Sequence, residues 1–253
     1  MLARWDFGDG GQAQGLTSTH TYRDPGDYLV GCLVTSDDGL TASCATLITV
    51  QIPKVVVVPA AGWEMVAAPN SGDHPVANVK VTLTDLNLTR TYCEAAAAGW
   101  VGPTLYWYDP QTRQYRTAGC EPGDEDTLRG GFAYWVKCSL KNVTLSFPVV
   151  TPATYHLVQL PIAGWQMIGQ PHYGDHTLAE CRVQRLDTGE VLPFCAARLA
   201  GWVETPLFTY EQSLRSYLTT GCDGLPLDDD DSLRQGKGYW LCTRLNDLVL
   251  VVP

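Results

Sequence analysis

Apolar and polar residues alternate along this chain in short stretches, set apart by Gly, Pro, Asn and Asp. Trp5 and Phe7 alternate with Asp6 and Gly8, and Tyr28, Val30 and Val34 share one parity, the period-two pattern of half-buried strands. Residues 55–58 and 64–67 bracket a Pro59-Ala60-Ala61-Gly62 turn, and residues 79–83 alternate cleanly. Residues 105–108 run into Asp109-Pro110-Gln111-Thr112, a turn by composition, and the pattern resumes at Gln114 and Tyr115. Residues 134–136 and 143–145 read as a closing hairpin, while residues 95–98 suffice for one helical turn only. The longest apolar runs, such as residues 55–58, are far too short to span a bilayer. The pattern predicts antiparallel sheets joined by tight turns.

From about residue 53 the pattern repeats at an offset of 102. Gly62-Trp63 answers Gly164-Trp165, and Gly72-Asp73-His74 answers Gly174-Asp175-His176. Ala98-Gly99-Trp100-Val101 answers Ala200-Gly201-Trp202-Val203. Tyr108 and Tyr115 answer Tyr210 and Tyr217, and Cys93 and Cys120 answer Cys195 and Cys222. Past Asp228-Asp229-Asp230-Asp231 the offset becomes 105, so that Tyr134-Trp135 answers Tyr239-Trp240. A duplication of this length predicts two β repeats, residues 53–150 and 151–253, with Trp63, Trp100 and Trp135 in the same core positions as Trp165, Trp202 and Trp240.

The first segment is different. Trp5-Asp6-Phe7-Gly8-Asp9-Gly10, then His20-Thr21-Tyr22, then Pro25-Gly26-Asp27-Tyr28, then Asp37-Asp38-Gly39 resembles a polycystic kidney disease (PKD) domain over residues 1–52. The resemblance implies an immunoglobulin-like sandwich whose earliest strands are missing here, because only four residues precede Trp5. The repeats, through Gly62-Trp63-Glu64-Met65-Val66, Tyr108-Asp109-Pro110-Gln111-Thr112 and Gly236-Lys237-Gly238-Tyr239-Trp240-Leu241, resemble a domain recurrent in secreted prokaryotic surface proteins. That likeness implies an extracellular accessory module without a defined activity. The expected fold is therefore all-β: an incomplete Ig-like β-sandwich followed by two tandem small antiparallel β-barrel or sandwich repeats.

Nine cysteines without a CxxC pair argue for disulfides and an extracytoplasmic compartment. Cys32 and Cys44 are equidistant from Asp38, and Cys181 and Cys195 from Thr188, so each pair is expected to bridge a hairpin. Cys120–Cys138 and Cys222–Cys242 are the expected equivalent bridges of the two repeats, which leaves Cys93 as a buried or intermolecular thiol. No apolar signal segment follows Met1, so the expectation is either a secretion signal upstream in a longer polypeptide or a truncated gene sequence.

Charge narrows the partners. Asp and Glu number 27 against 17 Lys and Arg, a net charge of −10 that disfavours nucleic acid. The chain has no Gly-x-Ser-x-Gly elbow, no phosphate loop and no catalytic carboxylate pair in recurring context, so the expectation is a protein that is not an enzyme and needs no cofactor. Asp228, Asp229, Asp230 and Asp231 are candidate Ca²⁺ ligands, as are Glu121, Asp124, Glu125 and Asp126 in the first repeat; the plainer reading is a solvated acidic loop. The duplicated Gly-Asp-His is a candidate metal or acid–base motif, against a plain polar turn. Asn87 and Asn142 head glycosylation sequons. Tyr106, Trp107, Tyr108 and Tyr115 are candidates to stack on sugar rings, but persistence of Tyr108 and Tyr115 through the duplication favours core packing.

Two functions remain. One is a non-catalytic surface stalk or a head-to-tail filament subunit, in which the unfilled sandwich, with Trp5, Phe7 and Tyr28 on its open face, takes a strand from another copy or from the upstream part of the chain. The apolar segment Leu248–Val252 is one candidate donor. The other is a carbohydrate- or surface-binding accessory module of a secreted enzyme.

Overall fold

The computed structural model describes residues 2–22, 26–50, 54–67, 72–148, 155–170, 174–222 and 230–253. Nearly every element is a β-strand, all sheets are antiparallel, and the chain divides into two compact units, the first built on Met1–Ile52 and the second on Pro53–Pro148 with Ala153–Pro253.

The first unit is one sheet, β1 (Leu2–Asp6), β2 (Gln12–Gln14), β3 (Gly26–Thr35) and β4 (Thr41–Val50), in the order β2-β1-β3-β4. The turn at Asp38 sets the register of β3 on β4, and Cys32 lies directly opposite Cys44. Both thiols are nevertheless free, correcting the expected bridge; burial and the neighbouring Cys44 raise the pKa of Cys32. The expected open face is also corrected. The segment after β2 folds over Trp5, Phe7 and Tyr28: Trp5 Nε1 donates to the Gly15 carbonyl at 2.8 Å, Phe7 stacks on His20 and Tyr28 on Tyr22. The opposite face instead presents Leu29 and Leu47, paired across the strands and 63% exposed each.

Strands of the first repeat are β5 (Lys54–Val58), β6 (Gly62–Ala67), β7 (His74–Pro75), β8 (Lys80–Leu83) and β9 (Leu88–Thr91), then helix α1 (Tyr92–Ala97), then β10 (Thr104–Asp109), β11 (Gln114–Gly119), β12 (Thr127–Leu128), β13 (Ala133–Cys138) and β14 (Val143–Phe147). The second repeat follows with β15 (His156–Leu160), β16 (Gly164–Gly169), β17 (His176–Thr177), β18 (Arg182–Arg185), β19 (Val191–Pro193), α2 (Phe194–Leu199), β20 (Leu207–Glu211), β21 (Ser216–Thr220), β22 (Ser232–Leu233), β23 (Gly238–Thr243) and β24 (Leu248–Val252). Sheet orders β11-β10-β13-β6 and β5-β14-β8-β9 recur as β21-β20-β23-β16 and β15-β24-β18-β19, with ribbons β12-β7 and β17-β22. Each repeat encloses its own apolar core between its two sheets. Leu248–Val252 is paired on both sides inside its own sheet, which removes it as a donor strand.

The disulfides depart from expectation. They are Cys93–Cys120 and Cys195–Cys222, joining each short helix to the loop after β11 or β21. Cys138, Cys181 and Cys242 are free, which overturns Cys120–Cys138, Cys181–Cys195 and Cys222–Cys242 and the unpaired role of Cys93. The reasons lie in register. Arg182 faces Pro193, and the Phe194 amide donates to the Cys181 carbonyl, so the residue opposite Cys181 is Phe194, one short of Cys195. A slip of one residue moves a side chain to the other face. Cys138 pairs with Gly62, whereas it is Thr243 that pairs with the equivalent Gly164, so Cys138 and Cys242 occupy different positions. Burial pushes the Cys138 and Cys181 thiols up to about 12. Helix α1 starts at a capping box, Thr91 with Glu94, and stops at Gly99 with φ +75.

The two repeats share a second interior. Strand β6 is buried on both faces: Val66 enters its own core, while Met65 joins Ala133 and Met167 between the repeats. The Ala67 amide donates to the Gly236 carbonyl and the Gly169 amide to the Gly131 carbonyl, both at 2.8 Å. Ala67 is equivalent to Gly169 and Gly131 to Gly236, so the contact has pseudo-twofold symmetry. It is also close: a Cβ on Gly238 would lie 2.6 Å from that of Ala133, and one on Gly169 2.9 Å from that of Ala67. The loops that make this contact are held from behind. Asp73 accepts from the Gly130 amide and Asp175 from the Gln235 amide, which gives the duplicated Gly-Asp-His a structural task.

Candidate functional site: two aromatic ladders across the repeat interface

Strand parity places the site. Leu105 and Trp107 point into the first core, so Tyr106 and Tyr108 lie on the opposite face. Register brings Tyr106 opposite Trp135 and Tyr108 opposite Tyr115, and β6 adds Trp63. The second repeat puts Phe208, Tyr210, Trp240, Tyr217 and Trp165 in the same places. Each ladder then crosses the interface. Trp63 packs on Tyr106 with centroids 5.8 Å apart, Trp135 meets Tyr210 at 5.5 Å, and Tyr210 meets Tyr217 at 5.3 Å. Reciprocally, Trp165 packs on Phe208 at 5.9 Å, Trp240 meets Tyr108 at 5.2 Å, and Tyr108 meets Tyr115 at 5.7 Å. Five rings make each ladder, three from one repeat and two from the other. Neither ladder is complete within a single repeat.

Tyr108, Trp135, Tyr210 and Trp240 rest half-buried on the core between the repeats, and the outer rings open to solvent. Trp63 and Trp165 are 40% and 45% exposed, and Tyr115 and Tyr217 are 52% and 49% exposed. The rings line two open apolar clefts of about 600 and 560 Å³, with Tyr217 common to both. This ring-lined surface is a candidate binding surface. The expected core positions are thus corrected: only Trp100 and Trp202 are buried in their cores, under Arg90 and Arg185 respectively. Core packing holds for Tyr108, half-buried against the core between the repeats, but not for Tyr115, which is exposed, while Trp107, the aromatic without a counterpart in the second repeat, is fully buried.

Other candidates resolve differently. In the first acidic loop Asp124 accepts from Thr104 and from the Glu121 amide, Glu125 faces Arg129, and Asp126 accepts from Thr127. Asp230 is bound by Arg234 and by the amides of Asp231 and Ser232, and Asp231 accepts from Ser232. Asp228 and Asp229, like Asp223, lie outside the described residues. Among the described residues no cluster of three His, Cys, Asp or Glu is placed to hold a metal ion. His74 is buried against Phe147, and His176 faces Glu180. Asn87 is exposed at the β8–β9 turn with φ 50. Asn142, by contrast, donates through Nδ2 to both Asp85 oxygens at 3.0 Å, bonds that a glycan on that nitrogen would disturb.

One further cluster went unseen in the sequence. Lys237 Nζ lies 2.8 Å from Glu64 and 3.0 Å from Glu211, closing one side of the repeat interface. Glu64 is buried, and that burial raises its carboxyl pKa against the pull of Lys237. Glu211, also partly buried, is held below the ordinary value by its bonds to Ser213 and Lys237. No spacing rule connects residues so far apart in the chain.

Comparison with known proteins gives a partial match. Residues 1–52 match the family model of the PKD domain. No curated protein matches the chain. Among solved structures, the chain is similar to one described as "Structural basis for the promiscuous specificity of the carbohydrate-binding modules from the beta-sandwich super family", at 12% identity and a TM-score of 0.23, over 99% of this chain and 82% of that one.

Proposed function

We propose that this is a non-catalytic extracellular module that binds polysaccharide through the paired aromatic ladders. The carrying observation is the exposure of Trp63, Trp165, Tyr115 and Tyr217 on two shallow, open, ring-lined clefts. A pyranose ring has apolar C–H faces and a polar edge of hydroxyls. It leaves water readily against an exposed indole or phenol face while its hydroxyls stay solvated. Cleft volumes of about 560 and 600 Å³ fall in the range of small-ligand sites. The two disulfides and the PKD-like first unit support an oxidising, extracellular setting. Co-sedimentation with insoluble cellulose, chitin and β-glucan tests the reading. The chain is expected to deplete onto at least one of them, and the double variant Trp63→Ala with Trp165→Ala to stay in solution while still folded. A double variant that still sediments with every polymer contradicts it.

Assembly is the second reading, favoured by one observation. Strand β4 ends the first sheet, and all ten of its residues are exposed or half-exposed. An unpaired edge of that length is a template for another strand. Its donor is a second copy of the chain. Analytical ultracentrifugation separates the readings: concentration-dependent growth that Ala45→Pro abolishes, by removing an edge-facing N–H, supports assembly, and a monomer at all concentrations argues against it.

A further inference from the structure

The clefts are alike, but what lies beside them is not. A third cavity of about 310 Å³ sits between the repeats next to one ladder, and Tyr108 lines both this cavity and the cleft of Trp165. Its walls carry Asp109, Arg116, Glu125 and Arg129 with the flat rings of Trp107 and Phe132. Arg116 reaches Asp109 only at 3.3 Å and Arg129 reaches Glu125 only at 3.4 Å, while Arg129 lies over the Trp107 ring at 4.6 Å. Trp107 is buried, and its indole N–H has no hydrogen-bond partner among the described residues.

The pseudo-twofold position shows what closing this space looks like. There Lys237 replaces Phe132, Glu64 replaces Gln166, Glu211 replaces Asp109 and Leu218 replaces Arg116. The Lys237 ammonium bridges Glu64 and Glu211, and Gln212, where the open side has Pro110, donates to the Ala61 carbonyl and to Glu64. Gln212 lies so close over Gly62 that a Cβ there would be 2.3 Å from its Nε2. At the equivalent Gly164 nothing lies within 4 Å of that point. One side is filled and the other is open.

We propose that the open cavity is a subsite for a single neutral sugar ring, and that it makes the Trp165 cleft the more selective of the two. This rests on the polysaccharide reading of the clefts. Asp109 is filled by Gln111, Thr112 and Arg116 and fixes the wall, while Glu125 accepts hydrogen bonds and the two guanidinium groups donate them, which suits hydroxyls that do both. Two negative and two positive groups balance, so the walls select no net charge. The half-buried Phe132 ring offers flat apolar contact to the ring's C–H face, with Arg129 lying over the buried Trp107 behind it. A sugar unit in the Trp165 cleft continues past Tyr108 into the cavity, whereas one in the Trp63 cleft meets Lys237.

Calorimetric titration with cellohexaose, laminarihexaose and chitohexaose tests this on three proteins: wild type, Phe132→Lys with Gln166→Glu, which copies the closed side, and Arg116→Leu. Wild type is expected to show two unequal sites for at least one sugar. The double variant is expected to weaken the tighter site about tenfold, as loss of charge-assisted hydrogen bonds would do, and leave the other. Arg116 has a half-exposed side chain, so Arg116→Leu, expected to weaken the same site, guards against misfolding of the double variant. If both variants bind as wild type does while Trp63→Ala with Trp165→Ala abolishes binding, the cavity is no subsite and the ladder reading survives. If wild type binds none of the three sugars, both fall.

Discussion

Tryptophans at equivalent positions carry different loads in this protein, and substitution separates them. Trp100 is 8% exposed with Arg90 over its ring, so Trp100→Ala leaves a core cavity and should cost ~3–5 kcal/mol, read by urea unfolding. Trp63→Ala removes a ring that is 40% exposed and should cost clearly less than Trp100→Ala, while weakening sugar binding. The Cys93–Cys120 bridge spans 27 residues, and Cys93→Ala with Cys120→Ala should cost ~2–4 kcal/mol. Glu64 gives a pH signature. Burial raises its folded pKa above the ordinary 4.5, so the stability that it contributes is fully present below that value and is lost as pH rises through the folded value. Relative to Glu64→Gln, wild type should therefore lose stability as pH rises from below 4.5 through the raised folded value, and a relative gain on that rise would contradict the assignment. Little of this was legible in the residues alone. Strand parity separates Trp107 from Tyr106 and Tyr108, but which of the two faces is solvent-exposed depends on a second repeat far along the chain.

At the level of strands and helices, local signals served well where partners are near in sequence. The turn at Asp38 gives the β3–β4 register, and Asp109-Pro110-Gln111-Thr112 gives the β10–β11 hairpin. They failed where a one-residue shift matters, as at Cys181, or where the link is non-local, as between α1 and the loop after β11. A usable disulfide signal was present: Cys93 with Cys120 and Cys195 with Cys222 are the only cysteines kept at the constant offset. The docking of β6 and β13 on β16 and β23 had no signal except small residues whose partners were unknown. Its closeness makes a prediction. Gly238→Ala places a Cβ 2.6 Å from that of Ala133, which must push the repeats apart. Overpacking of this kind costs ~1–3 kcal/mol, and the same change should weaken sugar binding at both clefts, because both ladders cross the interface. A variant with normal stability and binding would show that the interface yields without disturbing the ladders.

As a whole, the chain joins a PKD-like sheet to a duplicated unit whose two cores are separate but whose surface is shared. Duplication by itself was plain in the sequence. That the copies face each other, so that ten rings form one paired site, was not, since no local period records a docking angle. A net charge of −10 and clefts without charged floors fit a neutral polymer better than an anionic one. The central claim is that each chain offers two ring-lined sites related by pseudo-twofold symmetry. Binding stoichiometry tests it most directly, measured by calorimetry with cellotriose, laminaritriose and chitotriose, which are short enough to occupy one cleft each. The account predicts two molecules of a recognised trisaccharide per wild-type chain, and one per chain after either Trp63→Ala or Trp165→Ala. A single site in wild type, or two sites that survive both substitutions, would contradict it.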